Sequence, residues 1–256
     1  MLNTILHGAP TDLPPLVIVH GLFGSARNWG VIARRLSDER QVIAVDQRNH
    51  GDSPSTDTHG YGDMAADLAE VIDAHGGRAD VLGHSMGGKA AMMLALSHPE
   101  RVNRLIVADI APVAYGHSQI ENIDAMRAVD LSRVERRSDA ARQLETVLPD
   151  AGLRAFFLQS LDVPARRWKL NLDLLAAEMP KILGFPDLPE TAAFDGPTLF
   201  LSGATSDYVQ TAHRPRIKAL FPAARFARIP GAGHWLHAEK PREFEAAVRG
   251  WLAATA

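Results

Sequence analysis

"VLGHSMGGKAAM", residues 81–92, decides the fold. A β-branched apolar run ends at Gly83, and an alanine- and methionine-rich run begins at Met86. Between them Gly83-His84-Ser85-Met86-Gly87 fits G-x-S-x-G. The pattern predicts a strand turning sharply into a helix, with small residues where the two backbones approach and a serine hydroxyl raised at the tip. The helix N-terminus under that serine offers backbone N–H groups and a positive dipole end to a developing oxyanion. Ser85 is therefore the candidate nucleophile. The bland alternative is a plain glycine-rich connection. A rival reading of the same letters, Gly83-x-x-x-x-Gly88-Lys89, nearly completes a phosphate-binding loop. Ala90 stands where the metal-binding Ser or Thr belongs, so nucleotide chemistry is disfavoured.

Outward from this corner, short apolar runs alternate with helical patterns. "LVIVHG" (16–21), "QVIAVD" (41–46), "ADVLG" (79–83), "VNRLIVAD" (102–109), "PTLFLSG" (197–203) and "ARFARIPG" (224–231) read as strands. "NWGVIARRL" (28–36), "YGDMAADLAEVIDAHG" (61–76), "TAHRPRIKALF" (211–221) and "PREFEAAVRGWLAA" (241–254) read as helices. Continuous apolar strands alternating with helices predict a mostly parallel sheet covered on both faces. Residues 115 to about 190 break the rhythm and read as helices without a strand. The expected organisation is a core of residues 1–112 and 191–256 with a helical lid, 113–190, over the sheet's C-terminal edge.

The bulk numbers fit one such domain. The chain has 256 residues, 46% hydrophobic and 22% charged, with a net charge of −3. That balance argues against nucleic acid as a partner. No apolar run approaches the ~20 residues of a membrane span. The N-terminus lacks the basic and apolar regions of a signal peptide, so the expected location is the cytoplasm. Cysteine is absent, which excludes disulfides, thiol nucleophiles and thiolate metal sites. No metal or organic cofactor is expected.

Three further positions complete a candidate site. His20-Gly21 ends the first strong strand, where a hydrolase of this type supplies an oxyanion donor. That nominates the backbone N–H groups of Leu22 and Met86, with Phe23 one residue away as the alternative. The side chains of Leu22, Phe23 and Met86 would wall the pocket. Among 11 histidines, His234 in "IPGAGHWLH" follows the last strand and precedes the last helix, where the base belongs in Ser…Asp…His order, with His237 as runner-up.

Together "HGLFGSARNW", "VDQRNHGDSP", "GHSMGGKAAM", "VADIAPVAY" and "GAGHWLHAEKP" resemble the α/β-hydrolase superfamily. More narrowly, they are similar to YbfF-type bacterial esterases and their mitochondrial abhydrolase-domain relatives. The likeness runs from about Leu16 to Pro241. It implies Ser85 as nucleophile, His234 as base, Leu22 and Met86 as oxyanion donors, and esters or acyl thioesters as substrates.

One departure stands out. Many such enzymes carry the acid in a G-x-x-D loop. Here the loop reads Gly203-Ala204-Thr205-Ser206, with Asp207 one place late. Asp109, ending "RLIVAD", is the other candidate. The resemblance implies that it serves as the acid with Ser206 assisting, and Asp207 is the alternative. The expected activity is a serine carboxyl-ester hydrolase for short- to medium-chain acyl esters, with acyl thioesters as a further class. The alternatives are a non-catalytic ligand-binding protein of the same fold, or a cofactor-free perhydrolase or C–C hydrolase. The expected assembly is a monomer or weak homo-oligomer. Trp168, on an apolar face of the lid, is the candidate pocket residue outside the core.

Overall fold

A computed structural model describes residues 1–255. Its centre is a seven-stranded sheet. The strands in it are β1 (Thr4–His7), β2 (Leu16–Val19), β3 (Val42–Val45), β4 (Ala79–His84), β5 (Val102–Ala108), β8 (Thr198–Gly203) and β9 (Ala224–Ile229). A separate hairpin pairs β6 (Leu161–Asp162) with β7 (Arg167–Trp168). Across the large sheet the order is β1-β3-β2-β4-β5-β8-β9. All neighbours are parallel except β1 and β3. Residues of β2, β3, β4 and β8 are buried throughout, because helices cover both faces and leave no face for polar alternation.

One face carries α2 (Tyr61–Asp73), α3 (Met86–Ser97) and α9 (Arg214–Leu220). The other carries α1 (Gly30–Leu36), the short α10 (Leu236–Glu239) and α11 (Pro241–Ala254). In α11 the buried residues Phe244, Val248, Trp251 and Leu252 recur at helical spacing, so a single stripe faces the sheet. By contrast α3 is buried nearly all round, including Gly87, Gly88, Ala90 and Ala91. Its small residues let the helix lie close to the strands that present Ser85.

Between β5 and β8 lie α4 (Ile120–Arg127), α5 (Arg137–Leu144), α6 (Ala151–Leu158), α7 (Leu172–Ala177) and α8 (Met179–Leu183). The hairpin β6–β7 falls among them, so this stretch is not strand-free as its sequence suggests. Two residues per strand are too few to show an alternating pattern. The hairpin depends on Arg166 adopting a φ of 50° and on Asp162 Oδ1 accepting the Ala165 N–H at 3.2 Å. Strand β1 is equally invisible in sequence, since it exists through antiparallel pairing with β3. No helix among the described residues is long and apolar enough to cross a membrane.

Candidate active site

The corner after β4 has the expected form. Ser85 adopts φ 52° and ψ −123°, a conformation that costs an L-residue of order 1–3 kcal/mol and persists only when its surroundings over-determine it. The constraint is visible on both sides. Ser85 N–H donates to Ala108 O at 3.0 Å, and Lys89 N–H donates to Ser85 O at 3.1 Å. A Cβ on Gly83 would collide with the backbone of Gly87, and one on Gly87 with the carbonyls of Val19 and His20. Lys89, which belonged to the phosphate-loop reading, is buried and turns away from any such role. Its ammonium donates to Leu183 O at 2.8 Å and also to Gly184 O.

His234 brings its imidazole between Ser85 and Asp109. Nε2 lies 3.1 Å from Ser85 Oγ, and Nδ1 lies 2.7 Å from Asp109 Oδ2. A carboxylate accepts only, so Nδ1 carries the proton and Nε2 is free to accept from the serine. Asp109 is fully buried, with a φ of 52°. Its Oδ1 accepts Gly203 N–H at 3.0 Å, and its Oδ2 also accepts the Ser206 hydroxyl at 2.5 Å. Two donors besides the imidazole thus compensate a buried carboxylate. Asp207, the alternative acid, is exposed and makes no hydrogen bond or ion pair among the described residues. The register of the loop explains the difference: the residue three after Gly203 faces inward, and that residue is Ser206.

A cavity of about 350 Å³ opens on Ser85. Leu22, Phe23, Met86, Leu153, Phe156, Phe157, Tyr208 and Trp235 are among its walls. Leu22 N–H and Met86 N–H have no protein partner among the described residues, and both residues line the cavity beside Ser85. Phe23 N–H is committed to His50 Nε2 at 3.2 Å, so Phe23 is a wall residue and not the alternative donor. Trp168 corrects another expectation. It is not part of the cavity wall; its Nε1–H donates to Met126 O at 2.9 Å and ties β7 to α4.

Two neighbours of the imidazole were not foreseen. The Tyr208 ring stacks on it at 3.9 Å and 19°. His84 sets its ring 4.8 Å from that of His234 and donates from Nε2 to His234 O at 2.9 Å. The sequence held a signal for the first only in its place two residues after Ser206, and for the second none beyond its adjacency to Ser85. His237, the runner-up base, stacks on Trp29 at 4.1 Å. Desolvation there, with help from His234, pushes its pKa to about 3.

Four other imidazoles are buried. Desolvation lowers His20; it holds His50 and His84 well below the ordinary value and brings His59 down to about 4. The depressed folded values mean that these groups contribute stability above the unfolded pKa of ~6.5 and lose it as pH falls through the folded values. Between pH 7.5 and pH 5 the expected loss is about 2 kcal/mol for each histidine that stays neutral in the fold. Urea unfolding at the two pH values measures it; equal unfolding free energies would contradict the buried neutral state.

A family model described as the alpha/beta hydrolase fold matches residues 14–241. The chain belongs to the alpha/beta hydrolase fold family. Within it, the chain is 44% identical over 260 residues to the sn-1-specific diacylglycerol lipase ABHD11 of Mus musculus, covering 97% of this chain and 84% of that one. It is 41% identical to esterase YbfF of Escherichia coli K12, covering 93% and 92%. The solved structure of a marine microorganism esterase superposes with a TM-score of 0.92 at 38% identity, covering 98% of both chains. This alpha/beta hydrolase is a carboxylic ester hydrolase.

Proposed function

We propose that this hydrolase cleaves short- to medium-chain acyl esters, with acyl thioesters as a further class, through an acyl-enzyme on Ser85. The observation that carries the reading is the continuous hydrogen-bonded path from buried Asp109 through His234 to Ser85 Oγ, which opens on a largely apolar cavity. In the first half-reaction Ser85 Oγ attacks the ester carbonyl while its proton passes to His234 Nε2. Asp109 stabilises the imidazolium, and Ser206 and Gly203 hold the carboxylate. The tetrahedral oxyanion takes the Leu22 and Met86 N–H groups; each such donor is worth roughly 3–4 kcal/mol in comparable sites. Collapse expels the alcohol or thiol, protonated by His234. Water, activated by the same base, then releases the acid. Labelling by a fluorophosphonate, followed by peptide mapping, tests the scheme. Modification confined to Ser85 supports it; an unlabelled, folded protein points instead to a non-catalytic ligand-binding role.

Residues 113–190 act in this reading as a lid whose inner wall selects the acyl chain. Leu153, Phe156 and Phe157 of α6 line the cavity, and the Phe156 ring meets Trp235 edge-on at 4.4 Å. Phe156→Ala is expected to raise the ratio of kcat/KM on p-nitrophenyl octanoate over butyrate about fivefold, the worth of one further methylene accommodated at of order 1 kcal/mol. Trp168→Ala is expected to lower all rates evenly. A ratio that moved with Trp168 and not with Phe156 would place the acyl chain elsewhere. The same panel, extended to acyl-CoA and diacylglycerol, separates ester from thioester and small from lipid substrates.

A further inference from the structure

Three of the buried histidines form a row that starts with His20 at the cavity wall and runs behind it through His50 and His59. His20 and His50 have ring centroids 5.2 Å apart, and His50 stacks on His59 at 5.4 Å. All three are at most 1% exposed. None touches Ser85, so the proposed mechanism leaves them without a task.

Their hydrogen bonds define one. His50 Nδ1 faces Arg48 O at 3.0 Å, and its Nε2 faces Phe23 N–H at 3.2 Å. A backbone N–H only donates, so Nε2 is the unprotonated nitrogen and Nδ1 carries the proton. Protonating Nε2 would set one N–H against another. Burial and the flanking imidazoles of His20 and His59 oppose that protonation. His20 repeats the pattern, with Nδ1 2.8 Å from Gly21 O and Nε2 accepting Gln47 N–H at 2.9 Å. His59 turns its Nε2 to Met86 Sδ at 3.4 Å, while its Nδ1 lies 3.3 Å from Asn49 Nδ2.

The His20 and His50 contacts meet on one short turn. Gly24 N–H donates to Gly21 O at 3.0 Å, which closes Gly21-Leu22-Phe23-Gly24. Phe23, the third residue, has a φ of 63°, a position that glycine or asparagine ordinarily fills. A bulky residue there needs external restraint. Its N–H is held by His50 and its carbonyl by the Ser160 hydroxyl at 3.1 Å. His50 thereby fixes the peptide between Leu22 and Phe23, while the preceding peptide, which carries Leu22 N–H, is fixed through Gly21 O, the acceptor for Gly24 N–H and His20 Nδ1. Leu22 N–H stays unpartnered beside Ser85. We infer that His50 is a positioning residue for the oxyanion hole, setting Leu22 through Phe23, with His20 and His59 bracing the turn and Met86 from either side. The inference rests on the reading of Ser85 as nucleophile and of Leu22 and Met86 as oxyanion donors.

The role predicts a defect confined to the tetrahedral state. His50→Phe keeps a ring but removes the acceptor, leaving Phe23 N–H buried and unpaired. With p-nitrophenyl butyrate, kcat is expected to fall about 30- to 100-fold, while KM changes less than about threefold. An alkyl trifluoromethyl ketone reports the same state directly. Ser85 Oγ bonds to its carbonyl carbon, the serine proton moves to His234, and the carbonyl electron pair becomes an alkoxide in the oxyanion hole. Its affinity is expected to fall in parallel with kcat/KM. His50→Gln, whose amide oxygen reaches the place of Nε2, is expected to recover activity to within about fivefold of the parent. If His50→Phe does not fold, His50→Asn, too short to reach Phe23, carries the same expectation.

A folded His50→Phe or His50→Asn protein with kcat and ketone affinity within threefold of the parent overturns the inference. So does an equal loss in His50→Gln. Fluorophosphonate labelling of the parent at Ser85 keeps the two readings apart: no labelling there sinks the nucleophile assignment, whereas labelling with unaffected His50 variants sinks only this one.

Discussion

Ser85→Ala is expected to lower kcat on p-nitrophenyl esters by about 10⁵- to 10⁶-fold and to abolish fluorophosphonate labelling, with little change in fold. The hydroxyl is the only group removed, and the strained corner around it is held by backbone bonds to Ala108 and Lys89 that alanine retains. The measurement pairs active-site titration with urea unfolding. Residual activity of a few per cent in a preparation free of parent enzyme would show that another group attacks the ester. His234→Ala is expected to be comparably damaging, because base and nucleophile act as a unit and their losses do not add.

Asp109→Asn is the second large effect, a fall in kcat of about 10⁴ on the serine-protease precedent. The reason is tautomeric. The carboxylate accepts a proton-bearing Nδ1 at 2.7 Å, which frees Nε2 for Ser85 at 3.1 Å. An amide that turns its NH₂ toward Nδ1 favours the other tautomer, and Nε2 then presents a hydrogen to the serine instead of a lone pair. Asp207→Asn is expected to cost less than about twofold, since that side chain is exposed and unbonded among the described residues. Ser206→Ala falls between them, at roughly tenfold, because its hydroxyl is one of the donors that hold Asp109 Oδ2. Rates for the three variants on one ester, with circular dichroism to establish folding, give the ranking. An inactive Asp207→Asn beside an active Asp109→Asn would return the acid to the later loop.

The strands and the serine corner were legible because their causes are local. A run such as Leu16–Val19 is apolar at every position whichever helix covers it, and the restriction at Gly83, against the backbone of Gly87, acts within five residues. His234 was legible from chain order, since it occupies the turn between the last strand and the last helix. Trp168 was misplaced because an apolar helix or strand face does not say which neighbour it meets. Its indole found Met126 O, 42 residues away in the chain, rather than the cavity.

From sequence alone came the parallel sheet, the glycine-flanked corner at Ser85, His234 as the candidate base and the short list of candidate acids. The first two follow from residue type and near-neighbour spacing, the others from chain order. Tertiary structure alone decided between Asp109 and Asp207 beside the imidazole, because that depends on which face of the Gly203–Asp207 loop turns toward a strand end 94 residues earlier. It also decided which N–H groups near His20-Gly21 stay free. Phe23 and Leu22 are adjacent and both apolar. They differ because His50, 27 residues on from Phe23, takes up one backbone N–H and not the other. A hydrogen bond across that separation is set by packing of the whole sheet edge, and no local pattern encodes it.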